Sequence, residues 1–87
     1  MHEMSIAMEV CRIAEEQIGL AAMPRVREIG IVVGKNSGVE PDSLRFCLEA
    51  LLDQPPFRGA RTALEMTTGD DLRVAYLDLD DDGDTPN

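Results

Sequence analysis

The residues with the most chemistry in them open the chain: Met1-His2-Glu3. A free α-amino group, the backbone nitrogen of His2 and the His2 imidazole can close fused chelate rings around one ion. The backbone nitrogen of Glu3, or another donor, can take the fourth place. A nitrogen-rich plane of this kind suits Ni(II) or Cu(II), which favour square-planar geometry, over Zn(II) or Mg(II). The donors bind only when deprotonated, so the site weakens in mild acid, and acetylation of the amine removes a ligand. Taken alone, the same three residues also read as a polar lead-in to a helix.

Other stretches imitate known sites and fail on spacing. In "GIVVGKNSG" glycines precede a lysine after a strand, as in a phosphate loop. Gly30 and Gly34 are separated by three residues rather than four, and Asn36 stands where a Ser or Thr would bind magnesium. Asp78, Asp80, Asp82 and Gly83 match the first half of a calcium loop, but the stretch reaches Asn87 without the bidentate glutamate of position twelve. With one histidine, no GxSxG elbow and no carboxylate pair in an apolar setting, the sequence does not read as an enzyme. Met4 and Met8 lie at helical spacing and read as packing before soft-metal ligands. Cys11 and Cys47 form no CxxC pair, sit in helical patterns and read as reduced, mostly buried thiols.

These residues must be positioned by one small domain, since the 87 residues hold one core of ordinary size. A formal charge of −9, from 17 acidic and 8 basic side chains, repels nucleic acid phosphates and anionic lipid, so neither is expected as a partner. There is no apolar run of membrane-spanning length and no signal-peptide pattern, which together predict a cytoplasmic protein. Phe46, Phe57 and Tyr76 are the whole aromatic complement, so aliphatic side chains must fill the core.

Apolar residues recur at helical spacing over residues 5–22, with Glu9, Arg12 and Glu16 on the opposite side; the helix should fray near Gly19 and end before Pro24. "VREIGIVVG", Val26–Gly34, alternates Ile29, Ile31 and Val33 on one face and reads as a strand; its other face, around Val32, is unusually apolar and offers a contact surface. Pro41 fits the first position of a second, strongly apolar helix, which the prolines of "DQPPFRG" terminate. The remaining segment reads as a β-hairpin turning at residues 67–71, with Gly69 at positive φ and a bulge near Ala75-Tyr76 that brings Leu72, Val74, Leu77 and Leu79 to one core. The order α-β-α-β-β predicts an α+β fold in which a three-stranded sheet carries two helices on one face, over residues 1–79. Residues 80–87 read as an acidic disordered tail.

Three blocks occur in order: "MHEMSIA", then Gly34 to Phe46 in the pattern GxxSGVEPxxLRF, then "GDDLRVAYLDLD". Together they resemble the HypA/HybF family of nickel metallochaperones, which assist [NiFe]-hydrogenase maturation and sometimes urease activation. The resemblance implies Ni(II) at Met1, His2 and Glu3. As partners it implies a nickel-handling GTPase and the [NiFe]-hydrogenase large-subunit precursor. Its fold, two helices against a three-stranded sheet, agrees with the order read from the residues. Members of that family also carry a zinc domain with two CxxC pairs, inserted between the strands matching residues 60–66 and 72–79. Here "TTGDD" joins those strands directly, so no structural zinc is expected. A different class of function stays open: an interaction module of the same fold, docking maturation partners through the surface near Val32 or the second helix, without delivering metal.

Overall fold

The structure is a computed structural model in which residues 2–80 are described. Helix α1 runs Glu3–Ile18 and stops at Gly19, whose φ of +83° ends the helix without the strain a β-carbon would bring. A 3₁₀ turn, Leu20–Arg25, absorbs Pro24, so the apolar stretch expected as one helix divides in two. Strand β1 then spans Val26–Gly34. Helix α2, Pro41–Leu52, starts with its proline in the first turn and Glu40 as N-cap. Strands β2, Arg61–Thr67, and β3, Leu72–Leu79, complete the regular elements among the described residues.

The strands form one sheet in the order β2-β1-β3, with β2 parallel and β3 antiparallel to β1. The expected hairpin between β2 and β3 is therefore corrected: these strands flank β1 and do not pair. The reason lies in β1, which is buried over every residue from Ile29 to Gly34, on both faces of the pleat. A strand apolar on both sides belongs in the middle of a sheet. β2 and β3 expose Arg61, Glu65 and Arg73 on one face and suit the edges. α2 supplies the crossover that parallel β1 and β2 require.

Residues 68–71 must consequently cross the end of β1, and they bond to it as they pass. The N–H groups of Gly34, Lys35 and Asn36 donate to the carbonyls of Asp71 at 2.6 Å, Thr67 at 2.9 Å and Gly69 at 2.9 Å. Gly34 is what permits this approach, because a β-carbon there would lie 2.2 Å from the Gly69 carbonyl oxygen. Gly69 itself is not at positive φ; among the described glycines, those that are, besides Gly19, are Gly38 and Gly59.

Both helices cover the face of β1 that carries Ile29, Ile31 and Val33. α1 contributes Ala7, Val10 and Ala14, and α2 contributes Leu44, Leu48 and Leu52, to one continuous core. The bulge expected near Ala75 is present: Gly30 faces Tyr76 and Ile31 faces Val74, leaving Ala75 unpaired. Val74, Leu77 and Leu79 thereby reach the core, while Leu72 stays partly exposed. On the opposite face the Tyr76 ring lies over Gly30 and its hydroxyl donates to the Glu28 carboxylate. Arg61 approaches the same carboxylate at 3.5 Å, and Arg27 pairs with Asp78 at 3.2 Å. Val32, expected to offer a contact surface there, is 3% exposed. Its flanking partners Glu65 and Arg73, with the polar residues around Tyr76, form the outer surface instead.

Among the described residues no helix is long and apolar enough to cross a membrane. Asp80 is held where β3 ends, its N–H donating to the Arg25 carbonyl and its own carbonyl accepting from the Arg25 guanidinium. The rest of the expected acidic tail, residues 81–87, lies outside the described residues.

Candidate metal centre

His2 and Glu3 are placed by the start of α1. His2 is the N-cap residue, with extended backbone at φ −90° and ψ 102°, and its side chain makes no capping hydrogen bond. The residue is exposed. The His2 carbonyl accepts the N–H of Ile6 at 3.3 Å, closing the first turn. The N–H groups ahead of Ile6 point out of the helix end without intrahelical partners. The amides of His2 and Glu3 belong to that set, so replacing their protons with a metal breaks no helical hydrogen bond. Met1, whose amine would complete the chelate, lies outside the described residues.

Glu3 is engaged elsewhere. Its Oε2 accepts the backbone N–H of Glu40 at 3.0 Å, which ties the start of α1 to the start of α2. That N–H, followed by Glu3's own backbone amide, holds the Glu3 carboxyl below its usual range. Glu40 in turn caps α2, its Oε1 accepting the N–H of Ser43 at 2.8 Å. In a capping box the third helical residue reaches back to the N-cap amide. Ser43 is too short for that, and Glu3 supplies the missing carboxylate from another helix. Sequence reading finds Glu3 as a donor beside His2 and misses Glu40, since no local pattern announces a contact across 37 positions.

The imitation sites acquire structural explanations. The Lys35 and Asn36 amides, which a phosphate cradle would need, are bonded to the 67–69 backbone. Asp78 sits in β3 facing Arg27, and Asp80 is bonded through its backbone, so the front half of the calcium pattern is strand and strand end. Cys11 and Cys47 are both free and half-buried, and burial pushes the Cys11 thiol up. Among the described residues, no three His, Cys, Asp or Glu side chains cluster around a common point.

An α+β layer of two helices on a three-stranded mixed sheet, its first helix beginning at an exposed histidine, defines the class of small domain to which this chain belongs. The family model described as hydrogenase/urease nickel incorporation, metallochaperone, hypA matches residues 1–71. Proteins named hydrogenase maturation factor HypA are similar over most of the chain. That of Geobacter sp. (strain M21) is 42% identical over 69 residues, covering 79% of this chain and 60% of the relative. That of Chlorobaculum parvum is 43% identical over 65 residues, covering 75% and 58%. The protein of Methanopyrus kandleri is 32% identical over 69 residues, covering 79% and 49%. The chain belongs to the HypA family. It spans about three fifths or less of these relatives' length.

Proposed function

We propose that this protein is a non-enzymatic nickel carrier for hydrogenase or urease maturation, holding Ni(II) at Met1, His2 and Glu3. The observation that carries the reading is the state of the first helical turn. His2 is exposed and free of capping duty, the amides of residues 2 and 3 have no helical partners, and the family match begins at residue 1. Met1 would give its amine, His2 its backbone nitrogen and imidazole, and Glu3 its backbone nitrogen. The displaced amide protons leave to solvent. The Glu3 carboxylate, occupied by Glu40, would orient the chelating segment and not bind the ion. A site on one exposed chain end suits a cargo that must leave, because few groups move when the ion departs. Its partners, on this reading, are the nickel-handling GTPase of the pathway and the precursor of the hydrogenase large subunit.

The test is a titration of Ni(II) into untagged protein with a free Met1 amine and into His2→Ala, following the visible absorption of a planar nickel–nitrogen complex. One equivalent bound by the native chain and loss of the signal in His2→Ala is expected. Equal, weak binding by both defeats the reading.

A second reading is favoured by one observation. Phe46 on α2 is 73% exposed although it is one of only two phenylalanines. An interaction module of this fold would dock through that ring. Capture of the large-subunit precursor by His2→Ala, with loss of capture in Phe46→Asp, supports docking without delivery.

A further inference from the structure

Three sulfur-bearing side chains, two from α1 and one from the 3₁₀ turn, line one cleft. Met8 and Cys11 face it from α1, and Met23 faces it from the 3₁₀ turn. The cleft holds about 390 Å³, and its remaining apolar wall includes Leu20, Leu51 and Phe57. Met8 is 58% exposed, while Met23 is buried. Cys11 is free and half-buried.

Helix geometry brings two of the three donors together at once. Residues three apart on a helix have β-carbons roughly 5–6 Å apart. Met8 and Cys11 have this spacing, and one ion at roughly 2.3 Å from each sulfur spans it. Met4 is two turns from Cys11, at about 10.5 Å of helical rise, beyond what one ion could bridge together with Cys11. Met23 lines the same cleft from the 3₁₀ turn and gives a third donor that sequence spacing does not reveal. Methionine often fills gaps in cores. Here a core role leaves unexplained why Met8 is mostly in solvent while it lines a cleft with two less exposed sulfur residues.

We propose that Met8 Sδ, Cys11 Sγ and Met23 Sδ form a second metal site, for a soft monovalent cation of the Cu(I) class. Two thioethers and one thiol in an apolar cleft select a soft ion over Ni(II) or Zn(II), which take nitrogen and anionic donors more readily. The rim charge fits a single positive ion: Glu15 lines the cleft, and the Arg12 guanidinium is paired with Glu9 at 2.6 Å and Glu16 at 3.4 Å. When the ion binds as a thiolate complex, the Cys11 proton passes to solvent and no electron moves. The site is chemically distinct from the nitrogen-rich chain end and does not depend on it.

The experiment uses the full chain carrying His2→Ala, which removes the imidazole of the chain end. Ag(I) serves as a redox-inert probe observed at the methionine methyl groups by NMR, and Cu(I) is titrated against a colorimetric chelator. One equivalent is expected to bind, with the Met8 and Met23 methyl signals shifting and those of Met4 and Met66 unmoved. Met8→Leu, Met23→Leu and Cys11→Ser should each weaken Cu(I) retention by about tenfold or more. Leucine conserves the methionine volume, so folding is preserved. Binding that vanishes in Cys11→Ser while the Met8 and Met23 methyl signals never move would reveal a lone reactive thiol and overturn the site. Shifts at Met1 or Met4 in their place, or no competition with the chelator, overturn it equally.

Discussion

The carboxylate of Glu3 accepts the backbone N–H of Glu40, so the first residue of α1 completes the cap of α2. Two helix starts separated by a strand and a loop are thereby fixed to each other, and the residue next to His2 is immobilised by a partner that carries no metal chemistry. Glu3→Ala should lower the melting temperature by a few degrees. Glu3→Gln, which keeps a carbonyl acceptor, should lower it less. The Glu3 carboxyl is depressed in the folded state, so its contribution is present above the ordinary carboxylate range, near pH 4.3, and fades as pH falls through the lower folded value. Melting curves of native protein and Glu3→Gln should therefore converge on acidification. A gap that persists unchanged into strong acid would show that the charge is not the source.

The crossing of residues 68–71 over the end of β1 depends on Gly34. A β-carbon there meets the Gly69 carbonyl oxygen at 2.2 Å, its carbon at 2.6 Å and the Asp71 nitrogen at 2.7 Å. All three are backbone atoms, so no side chain can swing aside. Gly34→Ala should cost about 2 kcal/mol or more in urea denaturation. Gly69→Ala, whose β-carbon would meet nothing within 4 Å, should stay within about 0.5 kcal/mol. Similar costs at both positions would contradict the crossing.

Tyr76 is the chain's sole tyrosine, and there is no tryptophan, so its fluorescence reports one site. The hydroxyl donates to Glu28 across the sheet, and that hydrogen bond, followed by burial, raises the phenol's pKa. Glu28→Gln should move the phenol's ionisation back toward the ordinary value near pH 10, seen in the phenolate absorbance, and should brighten emission that the carboxylate quenches. Because the phenol is raised on folding, the contact stabilises the fold below that range and is lost as pH climbs through the folded value. Gly30→Ala, whose β-carbon would lie 2.0 Å from the Tyr76 ring, should produce the same brightening by displacing the ring.

What the sequence discloses and what it hides divide by distance along the chain. The strand Val26–Gly34 and the helix start at Pro41 follow from local periodicity and proline geometry, and both are found; the first helix, expected to fray near Gly19 and end before Pro24, instead stops at Gly19. The bulge at Ala75 was legible because Val74 and Leu77 fall out of phase within one strand. Strand order was not, because nearness of β2 and β3 in sequence suggests a hairpin. The contrary signal, apolar residues on both faces of β1, needed the weight that the sheet gives it. At the chain end the donor chemistry of His2 is local and visible, while Glu40's claim on Glu3 and the sharing of one cleft by Met23, Met8 and Cys11 are products of tertiary packing.

The same distinction decides how an interaction role should be tested on α2 and β1. Leu48 and Phe46 are both apolar and two residues apart, yet Leu48 is fully buried and Phe46 is 73% exposed. Leu48→Ala should cost about 2–5 kcal/mol, by loss of burial and the cavity it leaves. Phe46→Ala should cost less than about 1 kcal/mol, since little apolar surface leaves the core. Val32, which reads from sequence as a docking residue, belongs with Leu48: at 3% exposure a charge placed there is desolvated within the sheet. Val32→Asp should therefore unfold the domain, and loss of partner capture in that variant would say nothing about docking. Phe46→Asp changes the surface while leaving the core intact, so a folded Phe46→Asp protein that no longer captures the large-subunit precursor identifies α2 as the docking face. Undiminished capture removes α2 from consideration, and far-UV circular dichroism of each variant shows which of them remain folded.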